Sequence, residues 1–541
     1  MPAPPRPLFG PAVTRPASFS WVLAVSGALF FLRFGYEFGA GDQEELYSLL
    51  LHRLDPTLFA RDWYVIEQGA QFNVRTPFLW LMGALASTVP LELATLAVYG
   101  VAWVGVAWGV YRLAETFGAQ ALVAAVVTVA VLAVVPTWTL GGNALVADLL
   151  APEMIAWALA LPAVRLASDD RVLGAGLLLG LAAYLQFLVG VLTAGALGLA
   201  IVLGGLGGSP SERWRRSLIL GGAALVVALP MVWGVAYYRA AGALPPDDGL
   251  STFFLTAELR LPHHYLPLEF GRGRWARFGL LVVLGGAGLG LCRRAGRPLV
   301  FVERFLIAIG ALCLVAGIAI QAGESLFVAR LQVFKLTVVA NALLVVAAGV
   351  GAATRLSSGV RLGAVSPRLS VAITALMTIG LGAAVTSGAL DGRIGPRARA
   401  PSPFTAVERW IRTHTARDAL VAVPPANSTF RFNARRSVVA TYKPAPFQDG
   451  AMHEWYARLK TLAPRADPDR ARGLAFGDEL DRAYAENTRP DWDRIVSRYG
   501  VTHIVRDRRR GGSPRGRAVF EAGPWEVYAV LTPRPAQSAP D

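Results

Sequence analysis

The chain has 541 residues, 54% of them apolar and only 16% charged, whereas a soluble globular chain is about a quarter charged. With two cysteines in the whole chain, these counts exclude a disordered chain, a collagen-like repeat and a small disulfide scaffold. The net charge of +15 comes from 52 Lys+Arg against 37 Asp+Glu, but the bases are scattered between apolar runs rather than drawn into one stripe, so no nucleic-acid partner is expected.

Arg6 and Arg15 precede the apolar run Trp21–Leu32, as in a secretion signal. Arg33 and Glu37 then follow in place of a small-residue cleavage site, so the run reads as a retained signal-anchor helix. Further apolar runs cover roughly 91–113, 119–137, 143–167, 172–188, 189–207, 216–238, 276–292, 300–320, 326–350 and 369–388. With the first, at 20–37, they predict about eleven membrane crossings. Thr76–Ser87 is apolar but short and bracketed by Pro77 and Pro90, and reads as a re-entrant or interfacial helix. Basic residues orient the whole. With Arg6 and Arg15 inside, Arg213, Arg215 and Arg216, then Arg293, Arg294 and Arg297, then Arg355, Arg361 and Arg368 all fall on the inner side. Counting Thr76–Ser87 as a full span would put these clusters outside. Two long loops, Gly39–Arg75 and Arg239–Trp275, are expected outside, so whatever the protein handles is handled at the outer face.

From about Pro401 the texture changes. Phe404–Thr413, Met452–Leu462 and Trp492–Tyr499 have helical periodicity. Leu420–Val423, Ser437–Tyr442 and Val501–Val505 read as strands, and Ala518–Glu521 with Trp525–Leu531 as a hairpin around Gly523 and Pro524. The expected organisation is therefore a cytoplasmic segment 1–19 and a polytopic α-helical membrane domain 20–390, with outer loops 39–75 and 239–275. An extracytoplasmic α/β domain 401–532 and a disordered tail 533–541 follow. Cys292 and Cys313 both lie in expected spans, which closes disulfide and zinc readings for the tail.

The first long loop opens Gly39-Ala40-Gly41-Asp42-Gln43-Glu44-Glu45. One reading is a capping box, Asp42 as N-cap with Glu45 three residues on, starting a helix Gln43–Leu51. The other is a partly desolvated carboxylate at the membrane surface, serving as general base or metal ligand. The two are compatible, because an N-cap side chain can face a cavity.

An acidic pair at i and i+2 just past the first helix of a polytopic chain, here Asp42-Gln43-Glu44, resembles the modified D-x-D signature of the GT-C glycosyltransferases. The apolar patch Thr76-Pro77-Phe78-Leu79-Trp80 lies where that family has a juxtamembrane helix. The segments Leu261–Pro267, Phe430–Val438 and His453–Arg458 look like those of bacterial GT-C-like membrane proteins. The resemblance implies a GT-C-like fold and transfer of a sugar from a polyprenyl-phosphate carrier. It also implies that Asp42 deprotonates the acceptor or, with Glu44, holds a divalent cation such as Mg2+ or Mn2+.

Other candidates are weaker. His263 and His264 sit between prolines in the second long loop. If the segment is extended, their side chains point apart, so one of them could contact a phosphate or complete a metal site while the other could not. Arg330 and Lys335 lie in an expected span, where charges usually face a protein cavity. Arg330 either snorkels outward or clamps a lipid phosphate. Lys335 is five residues on, roughly 140° around an unbroken helix, so the two grip one phosphate only if the helix breaks. Asp148 and Glu153 read as buried carboxylates of one span, able to pair with Arg330, and Gln186 as a helix–helix hydrogen bond. Arg431, Arg435, Arg436 and Lys443 surround one expected strand, as a solvated face or as an edge closing over the membrane cavity.

Together these readings predict an inverting membrane glycosyltransferase in a bacterial inner membrane. Asp42 and Glu44 would be catalytic, and His263, His264, Arg330 and Lys335 would bind substrate. The partners would be the bilayer, a lipid-linked sugar donor and an acceptor bearing a hydroxyl. The alternatives are a transporter or lipid-handling protein on the same scaffold, and a catalytically dead assembly subunit.

Overall fold

The computed structural model describes residues 16–240, 242–297, 299–356, 392–394 and 402–530. Helices cover most of each apolar run up to residue 350, apart from 143–151, which is irregular ahead of the helix Pro152–Ser168, and the run at 369–388 lies outside the described residues. Among the described residues, five helices are long and apolar enough to cross a membrane: Leu91–Thr116, Pro210–Tyr238, Arg272–Arg294, Val300–Gln321 and Leu326–Arg355. The other apolar helices, Phe19–Phe34, Thr76–Ala86, Ala121–Val134, Val172–Leu185 and Phe187–Val202, are shorter.

Polar residues inside the apolar runs account for several differences. Gln186 does not bridge two helices. It ends one and caps the next, its Oε1 accepting from the backbone N–H groups of Leu188 and Val189 at 2.8 and 3.2 Å. The chain doubles back there, with Gly190 packed on the backbone of Leu179 and Ala183. Pro152 starts the helix Pro152–Ser168, as proline favours the first helical turn. Asp148 therefore sits in an irregular loop before that helix, not inside a span. Where helices pack, small residues set the approach. A Cβ on Gly288 would sit 2.2 Å from the carbonyl oxygen of Ala347, so the helices Arg272–Arg294 and Leu336–Leu356 touch backbone to backbone.

Among the described residues, two sheets complete the fold. Strand β1 (Tyr36–Phe38) pairs antiparallel with β2 (Gly392–Ile394). In the C-terminal part, β3 (Leu420–Ala422), β4 (Ser437–Val438), β5 (His503–Asp507), β6 (Arg517–Ala522) and β7 (Trp525–Ala529) form one mixed sheet in the order β4-β3-β5-β7-β6. Strand β3 runs parallel to β4 and β5, and β7 antiparallel to β5 and β6. The helices Pro403–His414, Asp449–Leu462, Leu474–Ala485 and Arg489–Tyr499 accompany the sheet.

Both long loops build into this domain. Leu255 and Leu259 of the second belong to the core formed by Trp455, Leu459, Phe476 and Ile504. Phe432 of the domain belongs to the core of the first, between Phe38 and Tyr47. The junction is fastened by a fully buried ion pair, in which Arg431 Nε donates to Asp62 Oδ2 at 2.7 Å with the side chains 1% and 0% exposed.

Candidate active site at the seam of the loops and the C-terminal domain

After β1 the chain turns twice in the left-handed region, at Gly39 (φ 74°) and Gly41 (φ 61°), where a side chain is strained. Gly39 also has no room for one, since its Cβ would fall 2.5 Å from the ring of Phe432. These turns deliver Asp42 to the start of the helix Gln43–Leu54. Gln43 locks the turn from inside, accepting from the Gly39 N–H at 2.9 Å and donating to the Leu150 carbonyl at 3.1 Å.

The capping box does not form. Asp42 makes no side-chain cap, and Glu45 instead pairs with Arg75. The Asp42 carboxylate is left 69% exposed, with Lys443 Nζ of the C-terminal domain at 3.7 Å. Glu44 turns elsewhere. It is buried, bonded to Ser428 and the Gly41 backbone, and burial holds its carboxyl above the usual range. Its Oε2 has no partner. The two acids of the motif thus meet different surroundings, one open and one closed.

Lys443 is the cation beside Asp42, with Arg75 within electrostatic reach. Lys443 follows Tyr442, whose hydroxyl lies 2.7–3.2 Å from the carbonyls of Leu259, Arg260 and Gly473. Arg260 ends a π-helical stretch, Phe254–Arg260, a distortion found frequently at functional sites. Its Nη2 donates to the Lys443 carbonyl at 2.5 Å, while its Nε is buried without a partner. Arg75 donates to Gln68 Oε1 at 2.9 Å and lies 4.2 Å over the Phe447 ring.

The histidines are not in an extended segment. Pro262–Tyr265 is one helical turn, and the two rings meet at 4.4 Å instead of pointing apart. Burial above all, then the charges of His263 and Lys335, pushes the His264 pKa down to about 3. The ring is therefore neutral, and its Nδ1–H is engaged by the Gly141 carbonyl. His263 is also shifted down, by burial and then by Arg274 and Arg260.

The remaining predicted residues are tied into pairs. The helix breaks at Gln332, in the left-handed region at φ 48°. The break leaves Arg330 against Asp449 of the C-terminal domain and Lys335 against Glu153 at 2.8 Å. Glu153 pairs with Lys335, not with Arg330. Arg431 and Arg436 are not solvated. Arg431 holds Asp62, and Arg436 Nη2 donates to the carbonyls of Arg412 and Thr415 at 2.8 and 2.7 Å, capping the end of Pro403–His414.

Sequence reasoning singled out Asp42 and placed Lys443 on an edge that could close over the membrane cavity, but it joined neither Lys443 nor Arg260 and Arg75 to Asp42. Lys443 carried a signal, being one of three lysines in a chain whose other bases are all arginine. The charged group nearest Asp42 is an ammonium, and among the described residues no three His, Cys, Asp or Glu side chains gather to hold a metal ion.

Residues 402–462 match the model of a family described as a domain of unknown function, DUF6798. No curated protein matches the chain. Among solved structures, the chain is similar to the archaeal oligosaccharyltransferase AglB from Archaeoglobus fulgidus, in complex with an inhibitory peptide and a dolichol-phosphate. The identity is 12% and the TM-score 0.46, with 91% of this chain and 69% of that one covered.

Proposed function

We propose that the protein is a membrane glycosyltransferase that moves a sugar from a polyprenyl-phosphate carrier to an acceptor hydroxyl at the outer face of a bacterial inner membrane. The observation that carries this reading is an accessible carboxylate, Asp42, free of capping bonds and 3.7 Å from Lys443. It lies at the seam where the second long loop also brings Arg260.

In this reading Asp42 takes the acceptor proton. The acceptor oxygen attacks the anomeric carbon from the face opposite the carrier, so the configuration inverts. The bond from the anomeric carbon to the phosphate oxygen breaks, and its electron pair leaves with the lipid phosphate. Lys443 and Arg260 face that departing charge, a stabilisation strongest where water is thin. His264, neutral with its Nδ1–H committed, shapes the wall and supplies no charge. A transport reading would rest on the polar residues of the helical domain, and two of these, Glu153 and Arg330, are closed into ion pairs.

The test is transfer from a radiolabelled polyprenyl-phosphate sugar by the purified protein. Asp42→Asn should lower the rate by at least about a hundredfold with insertion and folding unchanged. Lys443→Gln should lower it about tenfold or more. Full activity of Asp42→Asn would remove the proposed base.

A further inference from the structure

A second opening lies away from Asp42. A cleft of about 350 Å³ separates the first long loop from the C-terminal domain, lined by Arg61, Trp63, Glu67, Arg458, Arg498 and Tyr499. Two guanidiniums lie over the Tyr499 ring and a third binds the backbone beside it. Arg458 lies between two aromatic faces, its Cζ 4.8 Å from the ring centroids of both Trp63 and Tyr499. Arg498 stands 5.5 Å over the same Tyr499, and Arg61 donates to the carbonyl of the next residue, Gly500, at 2.8 Å.

The opposing charge is small. Glu454 is committed to Arg458 at 2.7 Å. Glu67 is half-buried, and burial lifts its carboxyl above the ordinary range. Among the described residues neither Arg61 nor Arg498 has a carboxylate partner. Like charges gathered in this way repel, unless an anion visits. A guanidinium fork matches the oxygens of a phosphate or carboxylate. The volume exceeds that of a bare oxyanion, and the Trp63 edge and Leu420 offer apolar wall beside the charges.

We propose that this cleft binds a monosaccharide-sized ligand bearing a phosphate or carboxylate, whether presented by a lipid headgroup or by a soluble or glycan-borne sugar. The reading is independent of the chemistry at Asp42. Its test uses the full chain in phosphatidylcholine nanodiscs, titrated with glucose 1-phosphate by calorimetry. Saturable binding is expected, and Arg61→Gln and Arg498→Gln should each weaken it about tenfold. Both side chains are exposed, so the thermal midpoint should stay that of the parent. The control is Arg517→Gln on β6, three strands and so about 14 Å from β3, the strand at the cleft; it should leave binding unchanged. Absence of saturable binding, or equal weakening by Arg517→Gln, would overturn the proposal. Repeating the titration with phosphatidylglycerol in the disc separates the sources. Competition identifies a lipid headgroup, undiminished affinity identifies a sugar-borne anion, and either result upholds the cleft as an anion site.

Discussion

The buried pair Asp62–Arg431 offers the sharpest test of how the C-terminal domain is held. Asp62 is saturated. Its Oδ1 accepts from the Val65 N–H at 3.1 Å, capping the helix Trp63–Gly69, and its Oδ2 accepts from Arg431 Nε at 2.7 Å and from the Val438 N–H at 2.9 Å. Arg431 also donates to Thr441 Oγ1 at 3.3 Å and lies 5.2 Å over the ring of Tyr64. Arg431→Met keeps most of the side-chain volume and leaves Asp62 as a buried charge without its cation. Removing one partner of such a pair costs about 3–5 kcal/mol. Adding Asp62→Asn removes the stranded charge while its Oδ1 can still cap Val65. The double variant should therefore recover about 1–3 kcal/mol of the loss, the desolvation cost of one buried polar group. Denaturant unfolding in detergent measures the total, and hydrogen exchange at Trp63–Gly69 and Phe430–Thr441 localises it. If Arg431→Met cost less than about 1 kcal/mol, or if the double variant were no more stable than the single, the pair would not be the fastening argued here.

Two further outcomes follow from the other buried charges. Lys335→Met should destabilise the protein by about 2–3 kcal/mol, less than a fully enclosed pair because Glu153 is 20% exposed. Adding Glu153→Gln should restore part of the loss in a thermal scan. Glu408 is buried, with Asn433 and Thr429 as its donors, and desolvation lifts its pKa from 4.5 to about 7. A carboxyl whose folded pKa is raised binds its proton more readily when folded. Its contribution is therefore fully present below about pH 4.5 and is lost as the pH rises toward 7. Glu408→Gln should flatten that slope and stabilise the protein at pH 8, by up to about 3 kcal/mol; a parent whose stability is flat across this window would contradict the assignment.

The apolar runs were legible because a crossing demands a long stretch of one chemical kind, and nothing in a soluble domain imitates it. Helix ends were less legible, because a single residue decides them through local geometry. The division between the runs 172–188 and 189–207 fell within three residues of the turn, but that Gln186 itself makes it shows only in its side-chain bonds to Leu188 and Val189. In the C-terminal part, β4 is two residues long where alternation suggested six: the Val439 N–H still donates to the Val421 carbonyl of β3 at 3.3 Å, but Ala440 to Tyr442 leave the ladder and are buried by packing. The helix Leu474–Ala485 was missed altogether. Its apolar face, Phe476, Leu480 and Ala483, is narrow and interrupted by Asp478, Glu479 and Asp481.

The site divides along the same line. Asp42 could be found because its place in the chain, just past the first helix, marks it. Its partners could not, since periodicity assigns a residue to a face but never says what covers that face. Asp62 and Arg431 each read as surface charges when taken singly, and each would be one if the loop and the domain were apart. Brought together they lose water, and the Coulombic gain holds only if both remain in register. That requirement bears on the proposed chemistry. Lys443 reaches Asp42 from a segment that begins at Arg431, and Thr441, two residues before Lys443, is held by the same guanidinium. The buried pair is thus one covalent and hydrogen-bonded route by which the position of the domain sets the position of the cation. A variant that frees Arg431 should therefore weaken transfer in the way Lys443→Gln does, although Arg431 touches no substrate.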